Sequence, residues 1–91
     1  RDRAELSSVF TQLARQVALD LQRKGYEGRT VGIKLRFDDF KTVTRDLTLD
    51  VATAEAGTIR HAVGLCLKRV DFSRRIRLMG VRMASLRHAG R

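Results

Sequence analysis

Along residues 28–50, GRTVGIKLRFDDFKTVTRDLTLD, apolar and polar positions alternate with the period of two that marks strands with one covered face. The first run puts Val31, Ile33, Leu35 and Phe37 on one side and Gly32, Lys34 and Arg36 on the other. Asp38-Asp39 reads as a tight turn, because Asp tolerates the dihedrals that turns need. The return run puts Val43, Leu47 and Leu49 on one side and Thr42, Thr44 and Thr48 on the other. The pattern predicts a hairpin with strands over 29–37 and 40–49.

On either side of the hairpin the period changes to that of a helix. Leu6, Val9, Phe10, Leu13, Val17 and Leu21 fall on one helical face, with Ala14 and Ala18 on its flank. This predicts a helix over 2–24, starting near Arg3, with Asp2 or Ser7 available as a cap. Gly25 fits the C′ position that stops it, and Gly28 opens the turn into the first strand. After the hairpin, Thr53 reads as an N-cap and Glu55 suits the first turn of a helix over 54–69. Its apolar stripe is Ile59, Ala62, Val63, Cys66, Leu67 and Val70, with Lys68 and Arg69 expected in the last turn. A loop at Asp71 to Ser73 leads to a third strand, Arg75 to Ser85, and the polar tail from Arg87 to Arg91 is expected to fray.

The third strand does not phase cleanly. Strict alternation groups Arg77 with Met79, Val81 and Met83, against Ile76, Leu78, Gly80 and Arg82, so both faces are mixed. A bulge near Arg77–Leu78, or at Gly80, would turn Ile76, Met79, Val81 and Met83 inward and Arg77 and Arg82 outward. The order helix, strand, strand, helix, strand predicts an α+β fold: an antiparallel or mixed β-sheet with two helices packed on one face.

Length and charge narrow the partners. Ninety-one residues suit a single domain over 1–91, and 43% hydrophobic residues suffice for a packed core. No apolar run approaches the ~20 residues of a membrane span, and no signal-peptide pattern is present. One cysteine cannot form an internal disulfide, so a cytoplasmic, reducing compartment is the simplest expectation. The net charge is +9, and residues 68–91 hold eight cations (Lys68, Arg69, Arg74, Arg75, Arg77, Arg82, Arg87, Arg91) against Asp71 alone. Such basicity points to nucleic acid first and an acidic membrane surface second. Cations and hydroxyls on one strand face, with few groups suited to base edges, are the groups that bind phosphate oxygens without reading sequence. Lys34, Arg36, Thr42 and Thr44 are near neighbours across the hairpin; a solvated sheet face is the plain alternative.

Catalytic chemistry finds little support. Asp38-Asp39 is the only adjacent carboxylate pair and could in principle hold a magnesium ion, but the flanking Phe37 and Phe40 favour turn chemistry. Cys66 lies on an apolar stripe with no metal-ligand spacing to His61 or His88. Ser73 and Ser85 have no positioned base, and the seven glycines form no phosphate loop. Phe10, Phe37, Phe72, Met79 and Met83 read as core or core rim. Phe40 shares the phase of Thr42 and Thr44 and is free to shield the turn or touch a partner; one exposed aromatic counts against a base-stacking RNA sheet.

GRTVGIKLRFDDFKTVTRDLTL, followed about 26 residues later by IRLMGVRMASL, resembles the C-terminal little-finger domain of Y-family translesion DNA polymerases, in the bacterial DinB or DNA polymerase IV branch. The resemblance covers essentially residues 5–86. It implies a non-catalytic domain that grips the primer–template duplex backbone, independent of sequence. By motif position the DNA-facing residues would be Lys34, Arg36, Thr42, Thr44, Arg77 and Arg82, with Ser85 close to the same path.

The resemblance carries further expectations. Family members carry a strand before the first helix, with a pattern like ERTF, and the chain begins at Arg1 without it. That strand would lie between the hairpin and the last strand, so either a gap filled by a second copy or closure into a smaller sheet is expected, with self-association through open edges. The chain itself calls for no cofactor, while the parent polymerase would use magnesium and could bind a sliding clamp. No clamp-binding peptide follows Leu86 and no palm is present, so the chain alone is not expected to polymerise DNA. Another basic α+β module, RNA-binding or ribosomal in type, remains the alternative.

Overall fold

The computed structural model describes residues 3–89, and side chains from residue 5 onward. Its elements are α1 (Arg3–Lys24), β1 (Tyr26–Phe37), β2 (Thr42–Thr53), α2 (Ala56–Leu67) and β3 (Ile76–His88). Asp2, a candidate cap, lies outside the described residues, as do Gly90 and Arg91 of the tail. The fold is α+β, with two helices covering one face of a wholly antiparallel sheet of order β2-β1-β3.

β1 is the middle strand. It pairs with β2 through the hairpin and with β3 from Tyr26↔His88 to Phe37↔Ile76. Of the two arrangements expected, a gap filled by a second copy or closure into a smaller sheet, the strands take the second: hairpin and last strand pair directly through β1. The chain leaves β2, crosses through α2 and returns on the far side of β1, so β2 and β3 run parallel with β1 between them, a split βαβ arrangement. The outer edges of β2 and β3 lie free among the described residues.

The core follows the alternation of β1. Val31, Ile33, Leu35 and Phe37 are all fully or almost fully buried. Ile59, Ala62, Val63 and Cys66 of α2 cover them, with Ile76 from β3. On α1 the buried line is Phe10, Ala14, Ala18 and Leu21. The two alanines are thus its centre rather than its flank, because a methyl-sized side chain lets the helix backbone approach the sheet, while Leu13 and Val17 pack at the margin. Each fully buried Val, Leu, Ile or Phe contributes about 1.5–3 kcal/mol of transfer free energy.

Several boundaries shift for local reasons. Gly25 ends α1 at φ 74°, its N–H donating to Gln22 O. The N-cap of α2 is Glu55, not Thr53; the Thr53 hydroxyl instead accepts the Glu55 N–H at 3.1 Å. Lys68 and Arg69 fall just past the helix, where their N–H groups bond Gly64 O and Cys66 O. Arg87 and His88 do not fray: both belong to β3, held by the Arg87–Glu27 ion pair at 2.9 Å and a Tyr26–His88 ring contact.

Candidate nucleic-acid interface

The face of the sheet opposite the helices is set by one bulge. Phe37 pairs with Ile76 but Arg36 pairs with Leu78, so Arg77 is the extra residue. Ile76 is buried and Met79, Val81 and Met83 pack against the core, while Arg77 and Arg82 stand exposed. The bulge sits where the sequence needed it. Its by-product is Leu78, 50% exposed among polar neighbours on the outer face.

The hairpin loop sets the second register. Phe37 N–H bonds Lys41 O and Phe40 N–H bonds Phe37 O, so the loop has three residues rather than two. Such a loop needs one left-handed residue, and here it is Phe40 at φ 66°. Arg36 consequently faces Thr42 and Lys34 faces Thr44. Along the same face lie Thr30 and Thr48, cross-strand partners, and Arg82, opposite Gly32. Ser85 has φ 55° and its hydroxyl lies 3.0 Å from that of Thr30, so it too joins the outer face.

All seven sequence-predicted residues, Lys34, Arg36, Thr42, Thr44, Arg77, Arg82 and Ser85, are exposed. Thr30 was not singled out in the sequence, and Thr48, placed there on the face of Thr42 and Thr44, was not among the expected DNA-facing residues; the structure pairs the two across β1 and β2. Asp46 was also missed. It is in phase with the threonines, and its Oδ2 lies 3.5 Å from Arg82 Nη2 across the bare backbone of Gly32. A β-carbon on Gly32 would stand 2.2 Å from Asp46 Oδ1, so any other residue there would push the Asp46 carboxylate from its present position.

At the hairpin end, the Phe40 ring lies 5.8 Å from the Arg36 guanidinium and 5.1 Å from that of Arg77. Beside it, Asp39 Oδ1 accepts the Lys41 N–H at 3.1 Å and Oδ2 pairs with Arg74. The backbone hydrogen bond, and then Arg74, hold the Asp39 carboxyl below its usual range. Both Asp39 oxygens are thus engaged within the chain, in keeping with a turn. Cys66 is buried, with Sγ 3.9 Å from Val31 O, and burial raises its pKa. His61 is exposed on α2. Among the described residues no cluster of His, Cys, Asp or Glu could hold a metal ion, and no helix is long and apolar enough to cross a membrane.

Residues 1–91 match the impB/mucB/samB family C-terminal domain. The chain is similar to DNA polymerase IV of Clostridium perfringens, 33% identical over 93% of this chain and 24% of that protein. It is 39% identical to DNA polymerase IV of Desulfatibacillum aliphaticivorans over 81% of this chain and 19% of that protein. For DNA polymerase IV of Streptomyces coelicolor the figures are 34%, 93% and 18%. The chain therefore spans a quarter or less of these relatives. With the whole chain matched, the likeness drawn from the hairpin and last strand holds, and the chain belongs to the impB/mucB/samB family C-terminal domain, the little-finger domain of Y-family polymerases of the DNA polymerase IV type.

Proposed function

We propose that the outer face of β2-β1-β3 binds the backbone of duplex DNA without reading sequence, as the non-catalytic domain of a translesion DNA polymerase. The observation that carries this reading is the convergence of Lys34, Arg36, Arg77 and Arg82 with the hydroxyls of Thr30, Thr42, Thr44, Thr48 and Ser85 on one exposed face. Cations neutralise phosphates and hydroxyls hydrogen-bond their oxygens; neither choice discriminates between base pairs. The hydroxyls of Thr30 and Thr48, 3.4 Å apart, can each turn to a phosphate at little cost. The helices seal the opposite face, so the phosphate groups have one orientation and the duplex one side to approach.

Nucleotidyl transfer, with the magnesium it would use, belongs in this reading to the remainder of a longer protein. The domain supplies grip and position. Titration of labelled duplexes of unrelated sequence tests the reading: dissociation constants within about threefold of one another are expected, because non-specific affinity is an electrostatic, sequence-independent term. A preference of a hundredfold or more for one sequence, or tighter binding of single-stranded RNA than of any duplex, would overturn it.

A further inference from the structure

Phe40 is held against two local preferences. Its φ of 66° brings a β-carbon clash that glycine would not have, and three-residue hairpin loops commonly place glycine there. Its ring is 63% exposed at the tip of a basic hairpin. Glycine or asparagine would relieve both penalties. The guanidiniums of Arg36 and Arg77, 5.8 and 5.1 Å from the ring centroid, recover part of the cost through cation–π attraction. A ring retained only to clamp two guanidiniums has no need to keep most of its surface in water.

We propose that Phe40, flanked by Arg36 and Arg77, is a stacking platform for an unpaired DNA base next to the end of the duplex; this rests on the duplex-binding reading above. Bases inside a duplex are stacked on their neighbours and offer no free ring face. A base in a single-stranded extension does, and an aromatic side chain stacks on it whatever its identity. Phe40 lies past the Arg36↔Thr42 pair, at the end of the phosphate-type face, so a duplex that ends on this face would put its single-stranded extension beside the ring. The guanidiniums of Arg36 and Arg77 lie over the ring yet leave most of Phe40 exposed, and their charges are placed to attract the phosphates that flank a stacked base. Leu78, exposed and paired with Arg36, extends the apolar surface next to the ring.

The test compares a blunt duplex with the same duplex bearing a four-nucleotide single-stranded extension, of either polarity, using the 91-residue chain and its Phe40→Trp and Phe40→Leu variants. Wild type is expected to prefer an extended duplex about 5- to 150-fold, the range for stacking one base on an aromatic ring. Phe40→Trp should keep the preference and Phe40→Leu, equally apolar but without a π face, should lose it. Equal affinity of wild type for blunt and extended duplex overturns the inference while leaving duplex binding intact. A preference that survives in Phe40→Leu also overturns it, since the ring then only orients the arginines. If wild type binds neither DNA, both readings fall together.

Discussion

Arg82 and Asp46 form an ion pair, Nη2 to Oδ2 at 3.5 Å, that spans the sheet over Gly32, a residue of β1 without a side chain. Among the described residues it is the one acid–cation pair across the middle of the outer face, and both side chains are exposed. In water such a pair contributes at most about 1 kcal/mol to stability. On a surface that meets phosphates its effect is larger in another sense: Asp46 neutralises a cation that would otherwise be available, and itself repels the ligand.

Asp46→Asn should therefore tighten duplex binding, by about two- to fivefold if the whole worth of an exposed pair is released to the phosphates. The melting temperature should fall by no more than a few degrees. Binding isotherms at fixed salt check this. Weaker binding would show that Asp46 serves to hold Arg82 in its binding position.

The two faces of β1 should respond oppositely to a new negative charge. Val31 is fully buried, and an unpaired carboxylate there costs several kcal/mol, enough to unfold a domain with a thin core. Val31→Asp should thus abolish the cooperative melt. Lys34 is exposed, so Lys34→Glu should change stability by less than about 0.5 kcal/mol while weakening DNA binding. A folded Val31→Asp with a melted Lys34→Glu would mean the faces are inverted.

Acid should weaken the hairpin tip through Asp39. Its folded pKa lies below the ordinary 3.8, so its contribution to stability is fully present above that value and is lost as pH falls through the lower folded value. Melts of wild type and Asp39→Asn across pH 2–6 should differ most above about pH 5 and converge toward pH 2, by the titration of a carboxylate with a depressed pKa. A difference that grows toward acid would contradict the assignment.

The strand faces were legible because burial on one side only imposes strict alternation, as Val31, Ile33, Leu35 and Phe37 show. The need for a bulge in the last strand was legible for the same reason, since without an extra residue that strand had no consistent inner face; its place, at Arg77 and not at Gly80, came from the pairing with β1. What could not be read was long-range. Nothing local says that β3 pairs with β1 instead of leaving a gap, since pairing partners are chosen by topology and packing. Loop length was misjudged because Asp38-Asp39 carries turn chemistry by itself, whereas the structure gives the left-handed position to Phe40, a residue rarely found there. Asp46 was overlooked because its role depends on Gly32 beneath it and Arg82 beyond, three residues from three strands.

The salt dependence of duplex binding tests the central claim most directly, since each neutralised phosphate contributes about −0.9 to the log–log slope. Four to six contacts from the outer face give a wild-type slope between roughly −3.5 and −5.5. Lys34→Ala and Arg77→Ala should each make it shallower by about 0.9, while Arg23→Ala at the end of α1, on the helical side, should leave it unchanged. A slope near zero, or one reduced by Arg23→Ala but not by Lys34→Ala and Arg77→Ala, would contradict binding by this face.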